Sequence, residues 1–333
     1  MTKTKVVVTD FIEPDLNWEA GQFNRMGVDF AGYQLKTASP EQILAAAGDA
    51  DVVVVNMARL GSDVIAGLER CRLIIRHGVG YDNVDIDAAT HRGIAVANIP
   101  DYCVDEVAEQ TVMLMLACQR RLLQQQVIVH NSAAQGKWDF SSIGPVHRLH
   151  GKTVGIVGLG RIGGTVFRML EGFGLHRLVC DPYISLERQQ AFGVQPFSLE
   201  ALLEQSDIIT LHVPLTPETR YMLDDPQFRR MKPDAILINT ARGGLVNLEA
   251  LDRELRAGRP ALAGIDVYEQ EPPRPDSPLL RNPGIICTPH LSWLSEEAGW
   301  LIRQRVVEAV QRFQAGEAPR HWLNPEAGAY GSR

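Results

Sequence analysis

A chain of 333 residues, 45% apolar and 22% charged, is long enough to bury two cores, and two domains are expected at this size. Its 33 basic and 40 acidic side chains leave a formal charge of −7 with no dense Lys/Arg block, which argues against nucleic acid or an anionic membrane as partner. The cysteines Cys71, Cys103, Cys118, Cys180 and Cys287 form no C-x-x-C pair, and no apolar stretch approaches the ~18–20 residues of a membrane span, so reduced thiols and a cytoplasmic location are expected.

The N-terminus enters a strand-like run at once, without a long apolar leader. "KVVVTD", "DVVVVN", "LIIRHG" and "IAVANIP" are apolar throughout, as strands covered on both faces should be. Between them "SPEQILAAAG" and "GSDVIAGLERC" repeat apolar residues at helical spacing. "DYCVDEVAEQTVMLMLACQRRLLQQQ" follows, with acids in front, bases near its end and no Gly or Pro, and it predicts one long buried helix. After a polar connection a second series runs through "TVGIVGLG", "RLVCDP", "DIITLHVP", "AILINTAR", "LAGIDVYE" and "GIICTPH". Six strands with intervening helices predict a doubly wound parallel sheet. A final helix begins after Ser295, carries Ala298, Leu301, Ile302, Val306, Ala309, Val310 and Phe313 at helical spacing, and stops at Gly316. The expected fold is α/β with two doubly wound, Rossmann-like domains. A nucleotide domain (102–292) is inserted into a discontinuous flavodoxin-like domain (1–101 and 293–333).

Open α/β sheets bind ligands beyond the carboxyl ends of their strands, so the residues ending each apolar run are the informative ones. In G-x-G-x-x-G, Gly158 permits a tight turn, Gly160 lets backbone approach a pyrophosphate, and Gly163 allows close helix–strand packing. The helix that follows, with Arg161 and Ile162 in its first turn, points its N–H groups at the negative charge. Asp181 ends the next strand, where a ribose-binding acid belongs, and with the glycine turn this reading outweighs the alternative of a solvated turn residue before Pro182. A carboxylate there repels a 2′-phosphate and no Arg follows it, so NAD (NADH) is expected over NADP. His212, followed by Val213 and Pro214, lines the adenine pocket or merely caps its strand. Arg242, after Thr240 and Ala241 and before two glycines, suits a carboxylate and a neighbouring carbonyl oxygen; the alternative is a surface salt bridge. His290 ends the last strand, and Glu271 on the preceding loop could orient its imidazole for general acid work. The alternatives are a structural histidine and an exposed loop acid. His147 and His150 form an H-x-x-H in a polar linker without Cys or acidic ligands, so no metal is expected. In the first domain "RHGVGYDNVD" offers Arg76 and the N–H groups around Gly78, Val79 and Gly80, which read as a small anion nest or an ordinary βα loop.

These residues, with "DEVAEQTVMLMLACQR", "GKTVGIVGLGRIG", "DIITLHVPLTPETR", "INTARGGLVN", "AGIDVYEQEP" and "TPH", resemble the D-isomer-specific 2-hydroxyacid dehydrogenase family over about residues 50–315. The resemblance implies a split substrate domain, an inserted NAD domain, a cleft between them and a homodimer built largely through the nucleotide domain. It implies Arg242, Glu271 and His290 as the catalytic trio and Thr111 and Asp266 on the nicotinamide side. Thr219 in "PLTPET" joins the cofactor-binding set, and Val79 and Gly80 form the substrate-carboxylate loop. "DPYIS", "CTPHLSW" and "SEEA" look closest to the C-terminal-binding-protein branch, in which Arg76 and Trp293 shape the substrate pocket; Trp293 could equally pack between domains. The implied reaction interconverts a small 2-oxo acid and its 2-hydroxy acid. The alternatives are an NAD-sensing, corepressor-like binding protein and oxidation of another small anion such as formate. Asn247 departs from the pattern, since an acid is more usual after "GGLV".

Overall fold

The computed structural model describes residues 3–328. They divide into two compact units, one running up to Cys103 and resuming at Ser295, the other Val104–Leu294. Residues 1–2 and 329–333 of the expected discontinuous domain lie outside the described residues.

The first unit carries strands β1 (Lys5–Val8), β2 (Asp29–Gly32), β3 (Val52–Val55), β4 (Leu73–Arg76) and β5 (Ala95–Ala97). All are parallel, in the order β2-β1-β3-β4-β5 of a flavodoxin-like sheet. Four valines make up β3 and all are buried, which is what two covered faces select. The sequence reading missed β2. Its "DFAG" pairs on one side only and is half exposed, so no continuous apolar run marks it. Ser39 and Gln42 form a capping box before the helix Pro40–Ala47. The last long helix, Glu296–Gln314, is capped by Ser295 and buries Ala298, Ile302, Val306, Val310 and Phe313. Arg303 binds Glu19 through two hydrogen bonds of 2.6 Å, tying that helix to Asn17–Arg25. Beyond it, buried Asn324 accepts from Val96 N at 2.8 Å and donates to Ile94 O at 3.0 Å, so the returning tail completes the β5 edge.

The second unit holds six parallel strands, β6 (Thr153–Val157), β7 (His176–Cys180), β8 (Ile208–Leu211), β9 (Ile236–Asn239), β10 (Leu262–Ile265) and β11 (Ile285–Cys287). Their order is β11-β10-β9-β8-β6-β7. Pro196 extends the β7 edge by a single bridge to Val179. The chain then crosses back to lay β8 beside β6, which puts the topological switch point between those two strands.

The expected single long helix is instead two, Val104–Gln119 and Leu122–Gln135. Arg121 breaks it in the left-handed region at φ 51°, and its guanidinium donates to Pro145 O at 2.7 Å. The first helix packs Leu114, Met115 and Cys118 against Val154, Ile156, Ile236 and Ile238 of the sheet. The second leaves Leu122, Leu123, Val127 and Val129 exposed. Asn247 caps the helix Leu248–Arg256, accepting from Ala250 N and donating to Asp224 Oδ1, both at 3.1 Å. Among the described residues no helix is long and apolar enough to cross a membrane.

Candidate active site

The three glycines do three different things. Gly158 turns the chain at φ +92° as it leaves β6, and a Cβ there would stand 2.7 Å from His212 O. At Gly163 a Cβ would collide with Gly158 O, so only glycine lets the helix Arg161–Met169 sit this close to the turn. At Gly160 a Cβ would meet nothing within 4 Å, so the space beside it is open. Gly160 also precedes the helix, whose first N–H groups carry partial positive charge. Asp181 faces this turn, its Oδ2 accepting from Leu159 N at 2.9 Å and its Oδ1 from Tyr183 N at 3.1 Å. Open backbone at a helix start beside a fixed carboxylate fits a dinucleotide, with the pyrophosphate at the former and a ribose at the latter.

Arg188, which the sequence reading did not single out, braces the same turn. Its Nε donates to Leu159 O at 2.5 Å and its Nη2 to Gly160 O at 2.6 Å. Arg161 is exposed, while Ile162 packs on the core beneath. His212 and Val213 back the turn from β8, with His212 N bonded to Val157 O and His212 Nε2 3.0 Å from Thr210 Oγ1. Burial pushes the His212 imidazole down to about 3, so it is neutral. Thr219 closes its own loop by donating to Pro214 O at 2.7 Å.

At the β9 end, buried Asn239 pins the next turn, accepting from Ala241 N and donating to Arg242 O. Thr240 Oγ1 lies 2.8 Å from Thr111 Oγ1 of the helix Val104–Gln119, which joins those two expected positions. Ala241 O accepts from Arg242 Nη1 at 2.8 Å. A Cβ on Gly243 would collide with the Tyr268 backbone, so the glycine after Arg242 is what lets the loops from β9 and β10 meet.

Across that contact stand His290 and Glu271, the pair expected from the sequence. His290 Nδ1 donates to Glu271 Oε2 at 2.7 Å, and Glu271 Oε1 accepts from Tyr268 N at 3.0 Å. Their side chains are 33% and 31% exposed, so the pair is ordered yet reachable. Burial works against the Glu271 charge, but the hydrogen bond and charge of His290, the Tyr268 N–H and the field of Arg242 together hold its carboxyl below the usual range. Asp266, which the resemblance puts on the nicotinamide side, is 0% exposed, and its carboxylate accepts hydrogen bonds from the loop that bears His290. It accepts from Thr288 Oγ1 at 2.5 Å, Ser292 N at 3.0 Å, Leu291 N at 3.3 Å and Ser292 Oγ. Trp293 is half-buried and donates from Nε1 to His290 O at 3.0 Å. Tyr268, Thr288 and Ser292 were missed because nothing local in the sequence links them to His290.

The first unit holds Arg76, Val79 and Gly80. Gly78 adopts φ +146° and its missing Cβ leaves room for the Arg76 guanidinium, which donates to His77 O at 2.8 Å. Gly78 N is spent on Arg76 O, so the expected three-group nest keeps the N–H groups of Val79 and Gly80. Asn98 Nδ2 fixes the loop by donating to Val79 O at 2.6 Å. Among the described residues no group of three or more His, Cys, Asp or Glu is placed to hold a metal.

A family model described as D-isomer specific 2-hydroxyacid dehydrogenase, NAD binding domain, matches residues 112–292. The chain is 40% identical over 286 residues to D-3-phosphoglycerate dehydrogenase of Methanocaldococcus jannaschii, covering 85% of this chain and 53% of that protein. To glyoxylate reductase of Korarchaeum cryptofilum it is 37% identical over 294 residues, covering 86% and 87%. Among solved structures it is similar to D-lactate dehydrogenase from Aquifex aeolicus complexed with NAD and lactic acid, with a TM-score of 0.84 at 26% identity over 96% of this chain and 99% of that one. The chain spans about half the length of the phosphoglycerate dehydrogenases it matches.

Proposed function

Because the chain belongs to the D-isomer specific 2-hydroxyacid dehydrogenase family, we propose that it interconverts a small 2-oxo acid and the corresponding 2-hydroxy acid with NAD(H). The observation that carries this reading is the His290–Glu271 hydrogen bond at the carboxyl edge of a sheet whose opposite half bears the glycine turn and Asp181.

When bound, the dinucleotide supplies or accepts the hydride at the substrate's C2. His290 gives a proton from Nε2 to the carbonyl oxygen during reduction and takes it back during oxidation. Glu271 keeps Nδ1 protonated and the ring oriented, and its own charge persists because Arg242 and the Tyr268 N–H favour it. Arg242 holds the substrate carboxylate and polarises the carbonyl. We assign carboxylate binding also to Arg76 with the N–H groups of Val79 and Gly80, and a wall against the substrate side chain to Trp293. Asp181 accepts from ribose hydroxyls and disfavours a 2′-phosphate, so NADH is preferred to NADPH. Arg161, Ile162, His212, Val213, Pro214, Thr219, Thr240, Ala241 and Thr111 complete the cofactor surface. The protein works as a cytoplasmic homodimer, a reading supported by free thiols and the exposed apolar residues of Leu122–Gln135.

The test is purified protein with NADH or NADPH and a panel including glyoxylate, hydroxypyruvate and phenylpyruvate, followed by cofactor absorbance. His290→Ala should lower turnover roughly 10²- to 10⁴-fold, the range of general acid catalysis, while NADH fluorescence titration stays close to wild type. Equal loss of turnover and NADH binding would make His290 structural.

A further inference from the structure

We propose that the indole N–H of Trp293 is a positioning group for His290, fixing the left-handed backbone from which the imidazole reaches Glu271. The proposal rests on the acid role given above to His290, and it assigns Trp293 a task separate from lining a pocket.

His290 sits at φ +56°, a region that residues with a Cβ seldom occupy. Only Arg121 and Tyr221 share a positive φ among the described non-glycine residues. Relaxing φ to an ordinary value would swing Cβ and carry the ring away from Glu271, so the 2.7 Å hydrogen bond depends on this conformation. Something must hold it there. On the sheet side the hold is clear: His290 N donates to Asp266 O at 2.8 Å, and Leu291 N and Ser292 N donate to the Asp266 carboxylate. Those bonds hold N–H groups only, and the one on Leu291 N, in the same peptide plane as His290 O, is the longest at 3.3 Å, so that plane gains from a second hold at its oxygen. Trp293 Nε1 takes that oxygen at 3.0 Å and closes a three-residue loop from side chain to backbone. The peptide plane after His290 is thus held at its oxygen by the indole and at its nitrogen by Asp266. Phenylalanine at 293 would keep an aromatic wall and lose the clamp.

Two variants separate the roles. One is Trp293→Phe; the other carries 3-benzothienylalanine at 293, introduced by stop-codon suppression, which keeps the indole outline and replaces N–H by sulfur. A positioning role predicts that kcat falls for glyoxylate and phenylpyruvate by the same factor, roughly 10-fold and within the 10²-fold that a small misplacement can cost, with each KM and the NADH affinity nearly unchanged. It also predicts that the His290 Nδ1 proton, followed by NMR on ¹⁵N-histidine protein and assigned with His290→Gln, exchanges with water roughly 10-fold faster. If Trp293→Phe does not fold, the near-isosteric replacement decides the matter. A KM that rises for one acid only, with kcat unchanged, overturns the proposal, as does unaltered Nδ1 proton exchange in the sulfur variant. Wild-type protein that reduces no 2-oxo acid would refute the proposed function, and the exchange measurement would still decide whether the clamp exists.

Discussion

His212 carries a proton affinity far from that of a free imidazole. Burial lowers it from 6.5 to about 3, so between those values the unfolded chain binds a proton that the folded protein refuses. Stability is therefore fullest above pH 6.5 and falls as the pH drops through this window, by about 1.4 kcal/mol per pH unit for one such group. His77 is lowered as well, burial outweighing the attraction of Glu13 at 3.4 Å, and adds to the same trend. The melting temperature should fall between pH 7 and pH 5, above the range where most carboxylates titrate. His212→Asn, which keeps a polar group for Thr210, should flatten that fall; parallel curves for the two proteins would count against the assignment. Much at this scale was legible in the sequence. Three glycines with distinct steric duties, an acid at a strand end and a His–Glu pair each leave a local trace. The Asp266 carboxylate did not, because its commitment to Ser292 and Leu291 exists only once β10 and β11 lie side by side.

Secondary structure was readable wherever one element alone determined it. All six strands of the second unit announced themselves as apolar runs, and the Ser-capped helices by their first turn. Two elements escaped because the decisive partner lies elsewhere in the chain. The Arg121 break has no Gly or Pro to mark it and is held by Pro145 O, while β2 is an edge strand with one neighbour. Asn247 shows how a departure from an expected residue type can be neutral for the fold. Asn and Asp serve as N-caps about equally well, and Asn adds a hydrogen bond to Asp224 that a carboxylate would replace with repulsion. Asn247→Ala should cost about 1 kcal/mol in chemical denaturation. Asn247→Asp should retain the cap yet fall slightly short of wild type, and a more stable Asp variant would contradict this account of the Asp224 contact.

At the scale of the molecule, the second unit presents Leu122, Leu123, Val127, Val129, Trp138 and Phe140 to solvent, more apolar surface in one segment than a lone chain usually leaves uncovered. A second copy of the chain is the occupant proposed above. Sedimentation at micromolar concentration should give a dimer, and Val127→Glu with Val129→Glu should shift it toward monomer. A wild-type monomer would reject the homodimer. The interleaving of the units along the chain has an effect on how the protein is made. Elongation runs from the N-terminus, so the ribosome releases β1–β5 long before it makes Glu296–Gln314 and Asn324, which cover and pair with them. Meanwhile Val104–Leu294 emerges whole. The nascent chain thus matures from the inside outward, and its earliest-born strands are the last to be sealed.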